Sequence, residues 1–489
     1  MWARRISTLQ NRILILVEGG VLTLKSYKRD FRYHDETTVD AVMVSLQNAG
    51  AFLAALFVFP LSDWLGRQKT IVIAMAVFSV GVVLQVVPSH SLVCFYIGRV
   101  VAGLGLGAST AVAPSYNAEM APKQIRGMLM SGMQLMFGAG VMISYWIDYA
   151  VDVGLPESTK QWQIPVGLQL VPATVLGLGV LTQKESVRWL VRKGREDEAW
   201  KNLCWIRADD GPEVLAEFAE IKVGIAEEVR ATEGFKKREL LEPANRKRLA
   251  LAFGIFLGQQ CTGMTALAYF GPQFFKLLVG SGSRDLLITG LFGAEKFVTV
   301  GIYILFFADW WGRKPTLWIS AVLMAICFMI VTVVNKTTPA PKRGHPTSAG
   351  IATVAMTFIT NSIYQFSWGP IPWVYAAEIF PSRIRAIGTS VGVSTQWLFN
   401  FTFSLTTPYM IRAWSTYVFI FYAILDLIMA TLAFLFLKET KNKTLEEMEA
   451  IFHSKAAFDN EAVRRKAIKG EDIEVDRIED TAEVAEQKV

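Results

Sequence analysis

Apolar runs of about 18 to 25 residues, each long enough to cross about 30 Å of hydrocarbon, recur along this chain. They fall near 41–61, 70–88, 91–114, 128–150, 164–181, 249–279, 285–307, 315–334, 349–376, 386–411 and 415–437. A shorter run, Ile13 to Leu24, is interrupted by Glu18 and is too short to span unaided. Counting it, the pattern predicts six spans, a charged linker, six more spans and a charged tail. The proposed domains are an N-terminal bundle (1–183), a helical linker domain (184–248), a C-terminal bundle (249–437) and a tail (438–489), disordered beyond about Lys455.

The two sets of spans carry repeated markers about 250 residues apart. Asp63-Trp64-Leu65-Gly66-Arg67 returns as Asp309-Trp310-Trp311-Gly312-Arg313. Tyr116-Asn117-Ala118-Glu119, running on to Arg126, returns as Tyr375-Ala376-Ala377-Glu378, running on to Arg383 and Arg385. Matching markers at the ends of corresponding spans predict two related bundles with a substrate site between them, the architecture of a transporter.

Composition agrees with a bilayer protein. The 489 residues are 52% apolar and only 19% charged, and the mean hydropathy is +0.34. The net charge of +6 reflects bases bordering the spans, not nucleic-acid binding. Arg67/Lys69, Lys123/Arg126, Arg313/Lys314 and Arg383/Arg385 fall on one side together with linker and tail. The positive-inside rule then makes that side and both termini cytoplasmic, most simply at the plasma membrane. Lys25, Lys28, Arg29, Arg32, Lys336, Lys342 and Arg343 count against it, on the opposite side. No signal peptide is visible at the start of the chain. Four cysteines give no disulfide framework, and the four histidines lack ligand spacing, so neither metal nor cofactor is expected.

In combination and order, several motifs resemble the sugar porters of the major facilitator superfamily, and among them the fungal members. They are Asp63-x-x-Gly66-Arg67, Gly98-Arg99, Pro114-x-Tyr116-x-x-Glu119 through Arg126-Gly127, Glu185-Ser186-x-Arg188, Gln259-Gln260-x-x-Gly263, Asp309-x-x-Gly312-Arg313, Pro370-x-Pro372-Trp373, Glu378 through Arg385, and Glu439-Thr440-Lys441. The resemblance covers about residues 19 to 450. It implies an all-α integral membrane protein with the major facilitator fold: two six-helix bundles related by a pseudo-twofold axis, here with an incomplete first helix. It implies transport of a monosaccharide by alternating access, with no covalent chemistry and with proton coupling as the family habit. A monomer suffices. Around Asn202-Leu203-Cys204-Trp205-Ile206-Arg207 the chain resembles quinate permeases, which keeps a sugar acid open as the substrate. A transporter-like sensor and the product of an incomplete gene model are the other readings. About 50 residues after Leu437 is short for a sensor's tail.

Sugar recognition needs amides that donate and accept, and an aromatic face for the ring. Gln134, Gln259, Gln260, Trp373, Gln396 and Asn400 lie in apolar runs, where an unpaired amide is costly. The resemblance makes Gln134, Gln259, Gln260, Trp373 and Gln396 substrate contacts, with Thr265 standing where the family usually has Asn. The competing reading is hydrogen bonding between helices. For the duplicated charges Asp63, Arg67, Glu119, Arg126, Glu185, Arg188, Asp309, Arg313, Glu378, Arg383, Arg385 and Glu439, a lock between the bundles at the cytoplasmic face is expected, against a role in topology alone.

Arg99 works, in proton-coupled relatives, with an aspartate of the first span. Aligning Val17-Glu18-Gly19-Gly20 with that motif puts Leu14 at the acid position; Glu18, one turn later, is one candidate substitute, and an incomplete N-terminus is the simpler expectation. The glycines Gly103, Gly105 and Gly107 sit within an apolar run and allow close helix approach; they are not a phosphate loop. Glu295-Lys296 is an unusual charged pair in the eighth span, with structural snorkelling and a pathway role equally open. Asn335-Lys336-Thr337 is a glycosylation sequon in an expected outer loop.

Overall fold

The computed structural model describes residues 18–122, 126–279, 284–307, 311–338, 347–381, 383–441, 443, 447–448 and 451–452. Among them every regular element is a helix. Eleven spans follow the expected runs: Glu36–Leu65 (span 2), Arg67–Val86 (3), Leu92–Met120 (4), Arg126–Gly154 (5), the adjoining Lys160–Leu168 and Leu170–Leu181 (6), Pro243–Cys261 with Met264–Val279 (7), Arg284–Ile302 running into Tyr303–Phe307 (8), Arg313–Thr337 (9), Ser348–Gln365 with Ile371–Glu378 (10), Arg385–Trp414 (11) and Val418–Phe436 (12). Of the first span, the short helix Glu18–Val21 is described. The Leu14 position and the tail beyond 452 lie outside the described residues.

Spans 7 and 10 are broken, for reasons visible in the residues. Span 7 breaks at Thr262-Gly263, where Gly263 has φ +73°, a left-handed backbone in which a Cβ would also meet the Tyr422 ring. Span 10 opens over Phe366–Pro370, because Pro370 and Pro372 supply no N–H and the residue before a proline resists the helical region. Broken helices at membrane depth are tolerated where other groups satisfy the freed backbone. Gln259 does so: its Nε2 donates to the Trp368 carbonyl at 2.8 Å and to that of Gly369 at 3.0 Å.

Close packing inside the first bundle comes from the glycine run of span 4. A Cβ at Gly103 or Gly107 would overlap the backbone of Gln47 or Ala51 on span 2. The linker forms helices Val187–Arg192, Glu196–Arg207 and Pro212–Thr232 around a small core of Val187, Leu190, Ala199, Leu203 and Val214. Span 7 starts at Pro243, with proline in the first turn where its missing N–H costs nothing.

On the face away from the linker the bundles meet. Arg412 pairs with Asp35 at 3.3 Å, Tyr409 donates to Thr38 at 3.1 Å, and deeper in, Asn48 Nδ2 donates to Ser404 at 3.1 Å. Toward the linker face a cleft opens between spans 2, 4 and 11, lined by Phe59, Ser115, Glu119, Ser390 and Ser394 among others. The molecule is therefore closed on one face and cleft on the other.

Candidate functional site

Between the bundles lies a cavity walled by residues of spans 4, 5, 7, 8, 10 and 11. It brings together all seven residues expected to contact substrate: Gln134 from span 5, Gln259, Gln260 and Thr265 from span 7, Trp373 from span 10, and Gln396 and Asn400 from span 11. The cavity adds Tyr269, Lys296, Tyr364, Gln365 and Trp397, to which sequence reasoning gave no substrate role, apart from Lys296, whose role it left open.

The amides are arranged to accept. Gln259 Oε1, Gln260 Oε1, Gln365 Oε1, Gln396 Oε1 and Asn400 Oδ1 are buried and accept no hydrogen bond from a described residue. A hydroxylated ring brings several donors to such oxygens. Phe256 meets Trp373 edge to face at 5.1 Å, holding the indole as part of the wall.

Lys296 is 6% exposed and lines this cavity, so its side chain does not snorkel to the surface. Its ammonium lies 4.7 Å from the centroid of the Phe137 ring, a cation–π distance. Glu295, one residue earlier, turns to span 10 and accepts from Asn361 and Ser362.

The duplicated charges form two clusters of one design. In the first, Arg67 donates to Asp63 at 2.7 Å and pairs with Glu119 at 3.5 Å, while Ser186 donates to Glu119. Glu185 accepts from the backbone N–H of Arg67 at 3.0 Å and of Gln68 at 3.2 Å, at the N-terminus of span 3. In the second, Arg313 donates to Glu378 at 3.2 Å, Thr440 donates to Glu378, and Glu439 accepts from the N–H of Arg313 at 2.9 Å and of Lys314 at 3.2 Å. Both carboxylates occupy the positive end of a helix, where free N–H groups and the macrodipole favour an anion. Burial pushes the Glu185 carboxyl up. Burial also acts on Glu439, but N–H donors from Lys441, Arg313, Lys314 and Thr440 outweigh it and hold that carboxyl below its ordinary value. Gly66 has φ +96°, and a Cβ there would overlap the Glu185 carboxylate.

Each described pair in these two clusters closes within its own half. Arg383 and Arg188 go elsewhere. Arg383 bonds Glu239 of the linker at 2.6 Å, Arg188 pairs with Glu228 at 3.3 Å inside the linker domain, and Arg385 donates to the Phe380 carbonyl. Asp309 and the side chains of Arg126 and Glu18 lie outside the described residues. Ser186 and Thr440 were quoted within motifs but given no part; the Glu-Ser and Glu-Thr dipeptides after spans 6 and 12 are their common signal.

Arg99 is fully buried. Its Nη1 donates to Gln47 Oε1 at 2.9 Å, and its guanidinium lies 4.9 Å from the Phe95 centroid. Asp148 of span 5, missed in the sequence, is also fully buried, with its carboxyl where a Cβ at Gly20 would stand.

A helical two-bundle membrane protein with a central polar cavity defines a secondary transporter of the major facilitator fold. The family model described as sugar (and other) transporter matches residues 13–452, and the chain belongs to that family. It is 33% identical over 454 residues to the quinate permease of Emericella nidulans, covering 90% of this chain and 85% of the relative. To a probable quinate permease of Aspergillus niger it is 34% identical over 457 residues, covering 90% and 85%. In fold it is similar to XylE, described as a major facilitator proton:xylose symporter bound to 6-bromo-6-deoxy-D-glucose, with TM-score 0.75, 24% identity, and 92% and 98% of the two chains covered. The inward-open xylose transporter XylE from E. coli gives TM-score 0.74 at 23% identity, covering 91% and 98%. The protein is a transporter and not an enzyme.

Proposed function

We propose that the protein carries a single-ring polyol through the central cavity by alternating access, in the plasma membrane, with the linker and both termini in the cytoplasm. The observation that carries this reading is the set of five buried amide oxygens gathered around one cavity. A monosaccharide supplies donors to them from every side of its ring. Quinate or a related sugar acid does so too, and the names of the relatives favour that second reading.

The cleft toward the linker face and the contacts opposite it support an inward-facing state. In such a state the two charge clusters are separate, as alternating access requires of a lock that closes only in the other state. Proton symport is the description given to XylE, and for such coupling we propose Arg99 with Glu18, the acid the sequence offers in the first span.

Uptake of labelled D-glucose, D-xylose and quinate in a transport-null host tests the reading. Saturable entry of one of them supports it, and surface-expressed protein that moves none removes it. Substrate-induced alkalinisation that survives Glu18→Gln would take the coupling role from Glu18.

A further inference from the structure

A cation in a buried polyol pocket can donate to hydroxyl oxygens, but its full charge is matched only by an anion. The five amide oxygens accept hydrogen bonds, so they match the O–H donors of a polyol. Lys296 is a different kind of group: three donors and a full positive charge. Among the described residues lining the cavity it is the charged one. Holding an ionisable side chain in the middle of a span is expensive, and such residues serve pathways more often than packing. Residues adjacent on a helix point about 100° apart, which is why Glu295 bonds Asn361 and Ser362 of span 10 while Lys296 reaches the cavity wall over Phe137.

We infer that the substrate is a ring polyol bearing one carboxylate, and that Lys296 is the residue that selects it. The inference rests on the reading of this cavity as the substrate site and narrows it. The amide oxygens take the hydroxyls, Trp373 and Trp397 flank the ring, and the ammonium takes the carboxylate, which is ionised at neutral pH. A phosphate ester, with up to two negative charges, is costlier to bury than a carboxylate. Among the described lining residues there is no arginine to supply the fork that usually grips phosphate.

The test is equilibrium binding of radiolabelled quinate and D-glucose to the full chain in lipid nanodiscs, for wild type, Lys296→Gln and Lys296→Arg. Wild type is expected to prefer quinate, and D-glucuronate is expected to displace it better than glucose 6-phosphate does. Lys296→Gln is expected to lower the ratio of quinate to glucose affinity about 10- to 100-fold, the range of a lost charge-assisted hydrogen bond. Lys296→Arg is expected to restore most of the ratio. Should Lys296→Gln fail to fold, quinate methyl ester against quinate on wild type reads the same loss without a mutation. A preference for glucose that Lys296→Gln leaves in place would overturn the inference, as would an ester that binds as well as the acid. Equal loss of both ligands in Lys296→Gln, without rescue by arginine, would make the lysine structural. Monodisperse wild type that binds neither probe would remove the polyol pocket itself, a failure distinct from a wrong choice among polyols.

Discussion

Glu439 accepts the backbone N–H of Arg313 at 2.9 Å from 126 residues away, as Glu185 accepts that of Arg67 at 3.0 Å from 118 residues away. Two copies of one helix-capping carboxylate thus anchor the linker-side ends of the two bundles. Glu439→Gln keeps the shape and removes the charge. The expected result is a turnover lowered several-fold with substrate affinity within about twofold of wild type, because the cap sits away from the cavity. Weakened affinity at unchanged turnover, from paired uptake and binding curves, would contradict this.

Gln260 offers the cleaner test of the cavity. Gln259 also holds the break in span 10 through Trp368 and Gly369, so Gln259→Ala is expected to disturb structure and binding together. Gln260→Ala is expected to weaken substrate binding about 10-fold or more while surface expression persists, since it removes a buried hydrogen-bonding amide. Near-normal affinity in Gln260→Ala would remove this residue from the substrate site.

Acid is expected to loosen the linker in a narrow window. Hydrogen bonding to Arg383, and next the N–H of Lys236, hold the Glu239 carboxyl well below its ordinary value of 4.5, at about 2. A depressed carboxyl contributes stability that is complete above its unfolded value and lost as pH falls toward the folded one. Docking of the linker on the span 10–11 loop is therefore expected to be flat from pH 8 to about pH 5 and to weaken below about pH 4. Limited proteolysis near Lys236 reads this, with Glu239→Gln removing the acid-dependent part. A transition centred between pH 6 and 7 would assign the docking to another group.

The Asn335 sequon is expected to stay unmodified. Asn335 is 7% exposed, and its Nδ2, the atom a glycan would take, donates to the Leu277 carbonyl at 3.2 Å. Glycosidase treatment of the expressed protein should leave its gel mobility unchanged. A shift abolished by Asn335→Gln would show this end of span 9 to be open.

Much of this architecture is legible in one dimension, because a bilayer demands long apolar runs and a duplicated bundle repeats its punctuation. The amides Gln134, Gln260, Gln396 and Asn400 stand out for the same reason: they are polar in runs that are otherwise apolar. Gln365 and Tyr269 do not stand out, since a glutamine near the end of a run or a tyrosine among phenylalanines reads as ordinary packing. Which way Lys296 points depends on where spans 5 and 10 stand around span 8, information carried by tertiary packing alone. The same holds for the charges. Glu185 and Glu439 read as members of a lock between bundles, but capping requires knowing that chain more than a hundred residues away returns to the start of spans 3 and 9.

The order of these parts along the chain matters for assembly. In each half the capping acid follows directly after the last span of its bundle, Glu185 after Leu181 and Glu439 after Phe436. A membrane protein emerges from the ribosome N-terminus first and folds domain by domain, so each bundle receives its latch only once all its spans have been made. The first half can be secured while the second is still being synthesised. A chain cut short between Phe436 and Glu439 would have every span of the second bundle and the Arg313–Glu378 pair but not the cap on span 9, whereas one ending just past Thr440 would keep the capping carboxylate.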